Sequence, residues 1–265
     1  PGVAGDPEAG DAFGSVLAAT GSWLFVGVPR EDLGPARDAG AVVALHFTAD
    51  GFTSTQLTQD SPAVPGEVET EDRFGQSLAA GEGHLVVGVP LEDGGKRDVG
   101  VVQPFEIAGG TLTALPSIDE DAVPGDPEEG DAFGGALAIA RPCPGVPGYV
   151  VGAAAKAVRG RPLAGSVWLV PFRTSGSCRA KQVDEGIATP PRAVENSVYG
   201  SAVSALRSGA DQADTLVIAS AGVAEEGVPG RVIVLAPPYD DAGVVVLTDL
   251  VVREEGTLTL SSPAG

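Results

Sequence analysis

The sequence predicts an all-β fold, a β-propeller built from four-stranded antiparallel blades. The first observation behind it is a phrase that returns four times. Asp11-Ala12-Phe13-Gly14 opens the first copy, Asp72-Arg73-Phe74-Gly75 the second, Asp131-Ala132-Phe133-Gly134 the third and Ser197-Val198-Tyr199-Gly200 the fourth. The aromatic residues are 61, 59 and 66 residues apart. A fixed period of that size marks a repeat architecture, in which each unit buries its apolar faces against its neighbours. The second observation is that each period holds four short apolar runs separated by turn residues, the content of one propeller blade. The third is composition: 38 Gly and 22 Pro in 265 residues require frequent turns and oppose long helices.

Each copy reads in one order. After the aromatic-Gly pair a first strand covers 15–19 or 76–80. A tight turn leads to a second strand, Trp23-Leu24-Phe25-Val26-Gly27-Val28-Pro29 or His84-Leu85-Val86-Val87-Gly88-Val89-Pro90. A charged loop precedes a third strand at 41–47 or 101–105. A Gly-containing hairpin then gives a fourth at 53–59 or 111–115. Repeat three supplies later strands at 148–151, 166–172 and 178–183, and repeat four at 215–219, 231–236 and 244–250. The run 253–260 is left over as an added edge strand. The whole is one propeller region with repeats at about 1–61, 62–121, 122–189 and 190–265.

The aromatic-Gly start, the Val-Gly-Val-Pro or Val-Gly-Ala turn and the Gly-Ala-Val strand together resemble the FG-GAP repeat of integrin α-chain propellers. They are still more like the secreted integrin-like proteins of actinobacteria. The likeness covers essentially the whole chain and weakens in repeat four, where Ile218-Ala219-Ser220-Ala221 replaces the turn. In this family Phe13, Gly14, Phe74, Gly75, Phe133, Gly134, Tyr199 and Gly200 are expected to pack blade against blade, the aromatic ring wedging and the Gly admitting a neighbouring backbone. Family rings usually hold seven blades. Four repeats therefore form either a small complete propeller or part of a larger ring, which another chain or segment would complete. The chain begins and ends in the same phase of the repeat and contains no Met, so it is expected to be a processed product or an excised piece.

Some family repeats carry a calcium loop between their first two strands, built from several carboxylates. Here those connections shrink to Thr20-Gly21-Ser22 and Glu82-flanking glycines. Repeat three has none of the acids, and repeat four keeps only Asp211 and Asp214. No family-type calcium site and no other metal or cofactor is expected.

Cys143 and Cys178 fall in loops that an antiparallel meander brings to one side of repeat three, so they are expected to form a disulfide. A loop of that length is worth about 3–4 kcal/mol in the chain-entropy model. The bridge implies an oxidising compartment, hence a secreted or cell-surface protein.

A formal net charge of −20 excludes nucleic acid and an anionic membrane surface as partners, since both need clustered Lys and Arg. No 18-residue apolar run is present to insert in a membrane. The joints between repeats (1–12, 58–73, 117–132 and 184–196) hold 18 of the 36 acids. With the loops around Glu31, Asp32, Arg37 and Asp38, and around Glu92, Asp93, Arg97 and Asp98, they make one end of the meander acidic. The resemblance points to that face for a protein partner. A plainer reading of each Arg-Asp pair is a local ion pair and an Asx-type turn. There is no Arg-Gly-Asp tripeptide.

Catalytic signatures are thin. Two His and two Cys have no zinc spacing, and no nucleophile elbow, Walker loop or dinucleotide fingerprint appears. The expected function is a non-catalytic extracellular binding module whose acidic face holds a protein. A glycan-binding propeller is the alternative, resting on Trp23, Trp168 and Tyr239. A carboxylate-dependent carbohydrate-active enzyme comes third, through pairs such as Glu128-Glu129.

Overall fold

Alternating apolar residues in short Val- and Ala-rich runs, closed off by Gly turns, form strands throughout. The computed structural model describes residues 2–6, 8–184, 196–209, 212–221, 230–240, 243–252 and 258–261, with side chains up to residue 237. The chain is all-β: four antiparallel sheets and, among the described residues, one turn of 3₁₀ helix at Glu120–Ala122.

The first sheet runs in simple meander order through β1 (Leu17–Thr20), β2 (Trp23–Val28), β3 (Ala41–Thr48) and β4 (Gly51–Leu57). The second repeats it with β5 (Ser77–Gly81), β6 (His84–Val89), β7 (Val101–Ala108) and β8 (Thr111–Ala114). Pro116 breaks the last strand, and the short β9 (Ile118–Asp119) resumes pairing against Val101 and Val102. The third sheet comprises β10 (Ala136–Cys143), β11 (Val146–Ala153), β12 (Ser166–Pro171) and β13 (Lys181–Asp184). Its β10–β11 hairpin is longer than the sequence suggested, because the expected loop at 141–147 pairs up to Cys143 and Val146. The fourth sheet holds β14 (Tyr199–Leu206), β15 (Thr215–Ser220), β16 (Gly230–Asp240) and β17 (Gly243–Val252), with β18 (Leu258–Ser261) as a fifth, added strand.

The chain divides into two compact units. One is Pro1–Ala122 with Ala132–Gly135, and the other is Val123–Asp131 with Ala136–Gly265.

Within the first unit the second sheet docks on the first through its aromatic-Gly pair. Phe74 N donates to the Ala39 carbonyl at 2.8 Å, and Phe74 bridges Gly40 in parallel. The ring is fully buried, in a core shared by Phe25, Val42, Ala44 and Leu57 on one side and Leu78, Leu85, Val87 and Phe105 on the other. Gly75 lies so close to the first sheet that a Cβ on Gly27 would collide with its carbonyl. The next pair does the same on the second sheet: Phe133 N donates to Val99 O at 2.7 Å, and Ser77 Oγ donates to Gly134 O at 2.6 Å. Within the second unit Tyr199 N donates to Ala164 O at 3.1 Å, and Gly152 makes room for Gly200. Each such docking removes a large aromatic from water, worth about 2–3 kcal/mol for a side chain of this kind.

Phe13 departs from the expected packing role. It is 59% exposed, whereas Phe74 and Phe133 are 0% exposed. Gly14 keeps the left-handed backbone of its counterparts (φ 82°), but nothing lies within 4 Å of where its Cβ would stand.

Candidate functional site

The three joints within the described residues build the same small cradle. A backbone N–H three residues ahead of an Asp donates to that Asp's own carboxylate: Glu8 to Asp11 Oδ2 (2.6 Å), Glu69 to Asp72 Oδ2 (2.8 Å) and Glu128 to Asp131 Oδ2 (2.7 Å). Short polar side chains favour such local caps, which hold the joint in a tight curl. All three Asp residues are buried.

One further residue, just past the second strand, faces each Asp. It is Glu31, Glu92 or Lys156, and the backbone holds all three identically. Their N–H groups donate to Val28, Val89 and Ala153 carbonyls at 3.2, 3.3 and 3.3 Å. Their own carbonyls accept from Gly40, Gly100 and Gly165 at 3.0, 3.0 and 2.9 Å. The equivalent third-strand position is Val43, Gln103 or Trp168, paired with Val26, Val87 and Val151 respectively; Val43 lines the recess of repeat one and Trp168 stands beside Lys156 in repeat three.

The three recesses are filled differently. In repeat three the Lys156 ammonium donates to Asp131 Oδ2 at 2.8 Å and to the Asp126 carbonyl at 2.7 Å, with the side chains almost wholly buried. It lies 6.0 Å from the Trp168 ring centroid, and the Trp168 indole N–H donates to Pro124 O at 2.7 Å. A buried charge needs such a partner set, and here it has one.

In repeat two two carboxyls share the recess. Burial first, and the Asp72 charge second, push the Glu92 carboxyl up to about 8. Asp72 is raised as well, by burial first. Glu92 therefore holds a proton at neutral pH, and the Gln59 amide N–H donates to it and to the Glu67 carbonyl.

In repeat one the recess is an open pocket of about 350 Å³. It is lined by the polar Asp6, Glu8, Asp11, Glu31 and Gln56 and by the apolar Phe13, Val28 and Val43. Gln56 Nε2 donates to Glu31 Oε1 at 2.9 Å. Burial raises the Glu31 carboxyl above its ordinary value against that hydrogen bond, and the charges of Asp11, Glu8 and Asp6 add to the rise.

The loop residues expected to meet a partner separate into two kinds. Glu31 and Glu92 turn inward, at 8% and 9% exposure. Asp32 and Asp93 each accept from the loop's own backbone, Asp38 N at 2.9 Å and Asp98 N at 2.8 Å, an Asx-type closure. Arg37 and Arg97 are exposed, and Arg97 lies 3.8 Å from Asp98. The backbone of this loop also ties repeats together, since the Arg37 and Asp38 carbonyls accept from Glu71 N (2.8 Å) and Arg73 N (3.2 Å). Asp38 and Asp98 adopt positive φ (51° and 53°), a conformation Asp tolerates better than most residues.

Cys143 and Cys178 form the disulfide, with Cα atoms 6.0 Å apart. Asp214 is spent on structure, accepting from Arg141 N at 2.9 Å and Ser208 N at 3.4 Å, while Asp211, Glu185 and Glu195 lie outside the described residues. Among the described residues no three His, Cys, Asp or Glu side chains converge to hold a metal. Trp23 stacks on Phe25 and His46.

The Lys156–Asp131 pair, the buried Trp168 and the open recess were not expected from sequence. A signal for them was present. Gly5-Asp6-Pro7-Glu8-Ala9-Gly10-Asp11-Ala12-Phe13-Gly14 returns as Gly125-Asp126-Pro127-Glu128-Glu129-Gly130-Asp131-Ala132-Phe133-Gly134, differing at one position in ten. The two joints share the backbone-to-carboxylate hydrogen bond and differ in what surrounds it. No protein-family model matches the chain, and no curated protein matches it.

Proposed function

We propose that the chain is a run of FG-GAP-type propeller blades serving as a non-catalytic, extracellular binding module. Its ligand is a basic protein, held by the acidic joints. The observation that carries this reading is the open recess of repeat one, lined by both acids and apolar side chains. A surface of one sign attracts a partner of the other, speeds its arrival and discriminates against like-charged competitors. The sequential docking of one sheet's aromatic-Gly pair on the sheet before it supports the propeller reading. The disulfide supports secretion or display at the cell surface.

The glycan alternative draws less support. Sugar-binding platforms use exposed aromatic faces, but Trp168 is buried, Trp23 is stacked and half-buried, and the Tyr239 side chain lies outside the described residues. The carbohydrate-active enzyme reading rests on pairs such as Glu128-Glu129, whose side chains are exposed, while the Asp72–Glu92 pair is buried.

The test is capture of secreted proteins on the immobilised chain, run beside a glycan array. A basic protein retained at low salt, released by added salt and lost with the Asp6→Asn/Glu8→Gln double variant supports the reading. A glycan signal with no retained protein overturns it.

A further inference from the structure

We propose that the recess of repeat one is a receptor pocket for a lysine side chain of the partner protein, taking there the ammonium that Lys156 supplies from within in repeat three. The inference rests on the protein-binding reading above and narrows it to one pocket and one side chain.

Repeat three serves as an internal template. Its cradle is made by a joint that repeat one matches in nine of ten residues. The carboxylate curl is the same, and so are the two backbone hydrogen bonds that set the facing residue. The fillers change, and Phe13 is exposed where Phe133 is buried. Lys156 becomes Glu31, which removes the cation and adds an acid. Trp168 becomes Val43, which removes the bulk of an indole. With Glu31 and Val43 in place of the lysine and the indole, and Phe13 exposed, the recess is a pocket of about 350 Å³ lined by both acids and apolar side chains. That volume admits an aliphatic stem with a charged head and leaves room for an apolar neighbour of it.

The electrostatics agree. In repeat three the ammonium neutralises Asp131, but in repeat one Asp11 faces another carboxyl, and burial first, then the charges of Asp11, Glu8 and Asp6, raise Glu31 above its ordinary value. A cation entering from outside relieves this repulsion. Lysine fits better than arginine, because the template holds a compact ammonium between one carboxylate oxygen and one carbonyl, a geometry without the paired acceptors a guanidinium fork prefers. An apolar or aromatic neighbour of that lysine would meet Phe13 and Val43.

The experiment is an amide NMR titration of the full chain with two capped peptides, Ac-Gly-Lys-Trp-Gly-NH2 and its norleucine counterpart. The lysine peptide is expected to give saturable shifts at Gly5, Gly10 and Gly14, at least tenfold tighter than the norleucine peptide. Glu31→Lys, which places an internal ammonium as repeat three does, is expected to abolish the shifts, and Glu31→Gln to weaken binding about tenfold. Equal binding of the two peptides, no saturable shift, or full binding by Glu31→Lys overturns the proposal. Glu31→Gln carries the test if Glu31→Lys fails to fold. Capture of a basic protein by a chain that ignores the lysine peptide sinks the pocket and leaves the acidic face. Peptide binding by a chain that captures no basic protein does the reverse.

Discussion

The recesses around Lys156 and Glu31 share a backbone and differ in what fills them. In repeat three a lysine and a tryptophan close the cradle, and the Asp beneath them is neutralised. In repeat one a glutamate and a valine leave it open and crowded with like charge. The lesson is that a repeated scaffold keeps its main-chain hydrogen bonds while the side chains around it decide whether the cradle is plugged or open. Repeat two shows a third outcome, in which a proton held by Glu92 does the neutralising.

The largest effect should come from emptying the plug. Lys156→Ala leaves Asp131 buried without its cation and is expected to cost about 3–5 kcal/mol in chemical denaturation. Glu31→Ala removes a repelling acid and should cost nothing or stabilise. If the two variants lose similar stability, the contrast between the recesses fails.

The aromatic-Gly pairs offer a second contrast. Phe74→Ala empties a closed core and should cost about 3–5 kcal/mol. Phe13→Ala, at an exposed position, should cost under about 1 kcal/mol. A large loss from Phe13→Ala would mean that this ring is buried in solution, against a neighbouring sheet or a second copy.

Repeat two sharpens the comparison through pH. Glu92 titrates near 8 when folded against an ordinary value of 4.5. The folded state therefore holds more protons than the unfolded chain between those values, and stability falls as pH rises through that window. Glu92→Gln, which cannot ionise, should flatten this slope in a series of denaturation curves from pH 5 to 9. An unchanged slope would assign the titration elsewhere. The smallest effect is expected at Arg97, exposed and 3.8 Å from Asp98, where Arg97→Ala should leave the denaturation midpoint where it was.

Much of the fold was legible because it is written four times. Strand order, the added final strand and the disulfide follow from period, alternation and meander geometry. The edges of strands were less legible. Residues 141–147 read as a connection between strands, yet they extend a hairpin, with a register shift between Ala140 and Cys143. The site was legible only in outline. Charge counting found the acidic joints, but a loop residue has no periodicity to show which way it points. Glu31 and Glu92 therefore read as surface charges, although the backbone at Gly40 and Gly100 turns them inward. Phe13 looked like Phe133 because the Asp-Ala-Phe-Gly around it is the same, and the difference lies in what stands beside it.

A double-mutant cycle on denaturation midpoints, joining Glu31→Lys with Asp11→Asn, tests most directly whether the two cradles are equivalent. If they are, Glu31→Lys raises the midpoint above that of the native chain, and the gain disappears in the Asp11→Asn background. A midpoint that falls with Glu31→Lys, or a gain indifferent to Asp11, would contradict the equivalence.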